Sequence, residues 1–310
     1  MSAGVRWRIA RTIMDGVLLI DKPAGPTSHD MVAWVRRVSG ERRIGHTGTL
    51  DPAATGLLPL VLGRATRLAA LLTGGDKTYE AAIRLGFRTT TDDAEGEAIG
   101  ETSDALPDAA AIRAALEAFR GVHEQVPPSH SAKKIGGTRA YELARRAKPV
   151  VLAPVVVTVH AIDLLAWEPP LAHVRVASGS GFYVRALARD LGVRLGCGGH
   201  LAALRRTRHG PFDVADALPA TELASLDANG VAARVLAPAA AVAHLPAVTL
   251  TPAGVSRVRH GNAVGPALLE PGGAAALAST GPVGVRAPNG ALVAVAVARG
   301  GALHPVSVLG

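Results

Sequence analysis

Cysteine is nearly absent from this chain: Cys197 is the only one in 310 residues. A single thiol cannot close an internal disulfide and cannot supply a multi-cysteine zinc site. Aromatic residues are scarce as well, at 3%, too few for an extended platform that stacks single-stranded bases. No apolar run approaches the roughly 20 residues that span a bilayer as a helix. Met1 to Met14 carries three arginines but no apolar block of the signal-peptide kind. It reads as a loose leader, with Met14 as an alternative start. Together these absences suggest a cytoplasmic protein with no membrane partner.

Three familiar signatures also fail. Gly75-Asp76-Lys77-Thr78 looks like the end of a phosphate-binding loop, but Asp76 stands where a glycine must precede the lysine. Gly179-Ser180-Gly181 is half of a dinucleotide-binding fingerprint, and Val184 replaces its last glycine. The eleven histidines contain no His-Glu-x-x-His. We therefore expect no cofactor and no metal. There is no internal repeat and no low-complexity tract.

What is present is apolar bulk and positive charge. At 48% hydrophobic residues the chain can bury a sizeable core, and its length suggests one large domain plus a smaller one. The net charge of +8 suggests a polyanionic partner. Six of the basic residues fall between Ser129 and Lys148, against one acid. Others form Arg36-Arg37, Arg42-Arg43, and Arg205, Arg206 and Arg208. Each cluster alone reads equally well as a solvated face. Three together favour phosphate contacts.

The densest signal is Gly45-His46-Thr47-Gly48-Thr49-Leu50-Asp51-Pro52-Ala53-Ala54-Thr55-Gly56-Leu57-Leu58-Pro59-Leu60. Asp51 is its one carboxylate, and the run contains no Lys or Arg. An unpaired buried charge is very costly, so Asp51 needs solvent or a cation from elsewhere in the chain. The plain alternative is that Asp51 caps a helix whose first residue is Pro52. Three glycines in the run argue for close approach of backbone or ligand.

This string resembles the catalytic motif of the TruB-type tRNA pseudouridine synthases. The resemblance extends to Gly16–Asp30 (GVLLIDKPAGPTSHD), Lys77-Thr78-Tyr79, Arg84–Glu97 and Val126–Arg146. It continues through Ser178–Gly192 (SGSGFYVRALARDLG) and Gly198–Phe212 (GGHLAALRRTRHGPF) and fades beyond about Ala220.

Local pattern supports an α+β fold on a mixed, largely antiparallel sheet. Gly16 to Asp21 reads as a buried strand. Thr27-Ser28-His29-Asp30 reads as a capping box, followed by Met31, Val35 and Val38 on one helix face and Gly40 at its end. Arg64 to Leu72 reads as a helix and Lys77 to Phe87 as a strand. Val155–Trp167 and His173–Ser178 read as paired strands before a helix from about Phe182 to Leu191. From Pro246 the chain turns to short Gly-, Ala- and Val-rich runs, a small β unit. The expected division is a catalytic domain over 1–245 and a C-terminal domain over 246–310. The basic stretch at about 127–148 reads as an insertion. The resemblance implies that it is an RNA-gripping thumb carrying Lys133, Lys134 and Arg139, and that the C-terminal unit is a PUA-like RNA-binding domain.

The resemblance also implies a reaction: uridine 55 in the tRNA T loop becomes pseudouridine, with no redox cofactor or energy donor. Asp51 would be the reactive carboxylate. Arg185, one turn into the helix after Gly179-Ser180-Gly181, would be its cationic partner, although alone it reads as a helix-surface arginine. Tyr79 would pack on the flipped base, Tyr183 and Leu204 would line its pocket, and His46 would fill the space the base leaves. Read singly, Tyr79 is a half-buried strand tyrosine and Leu204 a core residue. Lys22 would support the Asp51 loop, and Asp92 and Asp93 would form a turn at the site's edge. The partner would be the T stem-loop of tRNA, acted on by a monomer with no obligatory protein partner. Two rival readings are a non-catalytic RNA-binding protein or tRNA-folding chaperone, and a synthase for another RNA.

Overall fold

The computed structural model describes residues 14–129 and 152–310, and the backbone of 134–135 and 138–139. Its large sheet has ten strands. β1 (Gly16–Lys22), β2 (Ile44–His46) and β3 (Thr55–Leu62) make one half. β4 (Lys77–Leu85), β5 (Gly121–Gln125), β6 (Val155–Glu168) and β7 (Leu171–Ser178) make the other. β8 (Gly199–His209) joins the halves, and β9 (Phe212–Asp213) and β10 (Leu218–Pro219) complete the sheet. The order is β10-β1-β3-β8-β4-β7-β6-β5, with β2 on β3 and β9 on β8. Only β1/β10 and β3/β8 are parallel; the sheet is mixed and largely antiparallel, as expected.

Helix α1 (Ser28–Ser39) starts where the sequence says it should. Thr27 Oγ1 accepts a hydrogen bond from the Asp30 amide, the Asp30 carboxylate accepts one from the Thr27 amide, and Gly40 closes the helix in the left-handed region. Met31, Val32 and Val35 pack on Leu18, Ile20 and Leu60 of β1 and β3. On the other half, Ile112 and Leu116 of α2 (Ala109–Glu117) and Leu187 and Leu191 of α3 (Val184–Arg194) cover Ile83, Val174 and Val176. The two clusters meet at Leu204 on β8, which packs against both.

A second sheet follows: β11 (Ala247–Thr249), β12 (Pro282–Arg286), β13 (Leu292–Arg299) and β14 (Ala302–Val308), paired in that order. Val283, Val285, Ala294 and Leu303 form its core with Val255 and Val258 of α4 (Pro252–Arg259). Leu292, Val295 and Leu309 pack against Val17, Leu19 and Leu57, so this small sheet rests on the back of β1 and β3.

Two local expectations change. Arg64–Leu72 is not one α-helix: a 3₁₀ segment, Gly63–Leu68, leads into a short helix, Ala69–Thr73. The tighter period stacks Ala65 and Leu68 on the same side, and both are fully buried. The helix expected from Phe182 begins at Val184, because Gln125 holds the Tyr183 peptide from both sides: the Tyr183 amide donates to Oε1 (2.9 Å) and Nε2 donates to the Tyr183 carbonyl (3.2 Å). In the basic stretch, Lys134–Ile135 pairs antiparallel with Thr138–Arg139. Lys133 and the side chains of Lys134 and Arg139 lie outside the described residues.

Candidate active site

Asp51 does not begin a helix. The chain makes one turn, with the Ala54 amide donating to the Asp51 carbonyl (3.1 Å), and enters β3 at Thr55. The loop around it is held mainly by side chains that hydrogen-bond to main-chain groups. Ser28 Oγ donates to the Leu50 carbonyl (3.0 Å) and accepts from its amide (2.9 Å). Lys22 Nζ donates to the carbonyls of Pro23, Pro26 and Pro52 at 2.8, 2.7 and 3.1 Å, and the Gly25 amide also donates to Pro52. Arg206 Nη2 donates to the Gly48 carbonyl (3.1 Å) and Nε to that of Leu57 (2.8 Å). Two of the motif's glycines are required. Gly48 has φ +121° with the His209 ring and the Arg206 guanidinium behind it, and Gly56 has φ +99° with no room for a Cβ against the β8 backbone.

The loop, the start of α3, and strands β4 and β8 enclose a cavity of about 300 Å³, at the lower end of the size range for small-ligand sites. Asp51, Tyr79, Tyr183, Arg185 and Leu204 all line it, together with Lys77 and Arg206. His46 does not; it lies on β2, partly buried.

Arg185 projects from the first turn of α3 and is largely buried, with a side chain 9% exposed. Its Nη2 lies 3.2 Å from Asp51 Oδ2 and its Nη1 3.2 Å from Asp93 Oδ2. The guanidinium therefore bridges two carboxylates. Asp51 itself is open to the cavity, with 47% of its side chain exposed, less sheltered than a reactive carboxylate in a closed pocket. Asp93 sits on a turn fixed by Thr91 Oγ1 and the Glu95 amide, both donating to its Oδ1. Next to it, Asp92 adopts φ +62° and pairs with Arg189 (3.0 Å), one turn further along α3. A non-glycine residue in the left-handed region is uncommon, and here the two consecutive aspartates reach two successive arginines.

The surroundings set the charges. Burial pushes Lys22 down to about 8, against the pull of Asp51 and Asp30. Burial, then Arg206, lowers Lys77 to about 8 despite Asp76. His209 falls to about 3 through burial, then Arg206 and Lys77, and is a neutral ring whose Nε2 faces the Leu72 carbonyl. His46 is lowered by burial, then by His29 and Arg206. Burial raises the Tyr79 phenol against the opposing effect of Arg206, so it stays protonated. The cavity wall thus presents three basic side chains and one carboxylate.

Several of these residues were not singled out by the sequence reading. Ser28 was a helix cap, and Asp93 part of an edge turn. Sequence alone groups Arg205, Arg206 and Arg208 as phosphate contacts. The structure separates them: Arg205 pairs with Asp21 through two bonds (3.0 and 2.7 Å), Arg208 lies 3.6 Å from Asp213, and Arg206 is 1% exposed and unavailable to a phosphate.

The fold of the chain is shared with solved structures. The chain is similar to one in the crystal structure of a Cbf5-Nop10-Gar1 complex (28% identity, TM-score 0.72, covering 96% of this chain and 85% of that one). It is also similar to one in the archaeal box H/ACA sRNP Nop10-Cbf5 complex (26%, TM-score 0.69, 96% and 87%). Two family models match in succession: the N-terminal domain of the TruB family pseudouridylate synthases over residues 36–184, and the tRNA pseudouridylate synthase B C-terminal domain over 185–241. Similar curated proteins are the tRNA pseudouridine synthases B of Thermobifida fusca (46% identity, 95% of this chain, 98% of that protein) and Aromatoleum aromaticum (48%, 81% of each). The chain belongs to the TruB family of pseudouridylate synthases, and is an isomerase of that class.

Proposed function

We propose that this protein converts uridine 55 in the T loop of tRNA to pseudouridine. The tRNA substrate is supported by relatives that carry that name at 46–48% identity over most of the chain. The position and mechanism rest on the motif and on one observation above all: the half-exposed Asp51 carboxylate lines the cavity with the Arg185 guanidinium 3.2 Å away.

In this reading the target uridine leaves its stack and enters the cavity, since the reacting atoms cannot be reached inside the folded loop. The Tyr79 ring packs on the base, Tyr183 and Leu204 close the pocket, and His46 fills the place the base has left. The C1′–N1 bond breaks, the base turns, and C1′ bonds to C5; N1 gains a proton and C5 loses one. Nothing else is consumed, so no cofactor is needed. Asp51 must be ionised and beside the sugar whether it attacks C1′, attacks the base, or removes a sugar proton. Arg185 keeps it charged and aimed. Lys133, Lys134 and Arg139 grip the RNA backbone, and residues 246–310 form a PUA-like clamp beside the catalytic domain of residues 1–245. The enzyme works as a cytoplasmic monomer without an obligatory protein partner.

The test is reaction with an unmodified tRNA transcript and mapping of the product at nucleotide resolution. Pseudouridine at position 55 alone supports the reading. Product elsewhere, or none, refutes it.

A further inference from the structure

Arg206 is among the largest fully buried side chains of the molecule, at 1% exposure. Its bonds are unusual for a buried cation. Nε donates to the Leu57 carbonyl (2.8 Å) and Nη2 to the Gly48 carbonyl (3.1 Å), and the Tyr79 phenol neighbours the guanidinium from the paired position on β4. Gly48 and Leu57 bracket the Asp51 loop on its two sides, whereas Tyr79 is the cross-strand partner of Arg206 on β4. Burial opposes its charge, and among the described residues no carboxylate pairs with it. A buried charge held by neutral oxygens alone is an expensive way to fill space. What it offers is geometry: a planar fork of fixed donors can tie three separate pieces of chain at set distances, which a lysine's single point of charge cannot.

We propose that Arg206 is a positioning residue for the isomerisation, setting the gap between the Asp51 loop and the Tyr79 ring into which the uracil must fit. It acts through those two walls and not on the reacting atoms. The proposal rests on the pseudouridylation reading of the cavity. The neighbouring wall gives the same impression of rigid spacing. Gly48 stands at φ +121°, and a Cβ there would meet the His209 ring at 3.2 Å and Arg206 Nη1 at 3.5 Å, so the loop passes close to the guanidinium that holds it.

The experiment compares wild type, Arg206→Lys, Tyr79→Phe and the double variant. Each is assayed for single-turnover conversion of a tRNA transcript, for tRNA affinity and for thermal melting. Arg206→Lys keeps the charge and loses the fork. Its single-turnover rate should fall about 10²-fold, the scale of a misplacement near 1 Å, with tRNA affinity changed less than about 3-fold and the shape of the pH–rate profile kept. Tyr79→Phe removes the phenol oxygen beside the guanidinium but keeps the ring. Adding Arg206→Lys to it should slow the reaction by less than the same change does in the wild type, because the two changes cut one shared connection. The proposal is overturned if the Arg206→Lys rate falls only in step with the folded fraction or with tRNA binding, or if the two effects multiply independently. If Arg206→Lys does not fold, Tyr79→Phe decides: a wild-type single-turnover rate in that variant overturns the proposal. Wild-type conversion separates the two levels, since product from the wild type together with an unimpaired Arg206→Lys removes the positioning role and leaves the enzyme's function standing.

Discussion

Two walls of one cavity carry an arginine each, and they bury that charge in opposite ways. On the α3 wall, Arg185 lies between two carboxylates at 3.2 Å each. On the β8 wall, Arg206 has two backbone carbonyls and a phenol. A guanidinium between carboxylates stabilises charge on its partners, and one of those partners is open to the cavity. A guanidinium among neutral oxygens fixes backbone. The difference separates chemistry from scaffolding within a few ångströms, and it predicts that the two walls respond differently to substitution.

The largest effect should come from Arg185→Met. It strips the cation from Asp51 and leaves Asp93, 17% exposed, with an unneutralised charge. Single-turnover conversion should fall about 10³-fold, as when a preorganised donor is lost from an active site, and melting should drop as well. A wild-type rate would remove Arg185 from the chemistry. Asp93→Asn leaves the Asp51 pair in place but frees the other side of the guanidinium; we expect about a 10-fold slower single-turnover rate with tRNA affinity unchanged. A variant as fast as wild type would show that Asp51 alone orients Arg185.

Replacing Lys133 and Lys134 together by Ala tests a different part of the molecule. Binding should weaken, and the slope of log affinity on log salt should flatten by about 1 to 2. An unaltered slope would deny these residues a phosphate contact. The smallest effect concerns Lys77 on the scaffold side. Its folded pKa, near 8, lies below the ordinary value of 10.5, so between those pH values the unfolded chain holds more protons than the folded one. Stability from this group therefore rises with pH across that window. Measured by denaturant titration, wild type should gain stability relative to Lys77→Met from pH 8 to pH 10. A constant difference would mean that burial leaves this amine unshifted.

How much of this was legible beforehand follows the same division. The capping box at Thr27–Asp30 and the left-handed Gly40 were readable because helix ends are local. The mixed sheet was readable from strands that come in runs. Asp51 and Arg185, 134 positions apart, were brought together by the family resemblance; nothing in their own neighbourhoods predicts a contact. Asp93 was seen only as part of a turn, because its partner reaches it from α3. Arg206 was misread. In Leu204-Arg205-Arg206-Thr207-Arg208 the alternation of a strand puts neighbouring arginines on opposite faces, but which face is buried depends on β8 lying between β3 and β4. That neighbourhood is assembled from residues more than a hundred positions away. His46, assigned to the site from its motif, is not among the residues lining the cavity: β2 pairs with the far end of β3, at Leu60–Leu62, whereas β8 pairs at Thr55–Gly56 beside the Asp51 loop.

The central claim is that the Asp51 carboxylate carries the reaction. Its most direct test is the single-turnover reaction of Asp51→Asn with tRNA transcript, run beside a binding measurement. The account predicts tRNA affinity close to wild type and no pseudouridine at position 55. Conversion at the wild-type rate by that variant would contradict it.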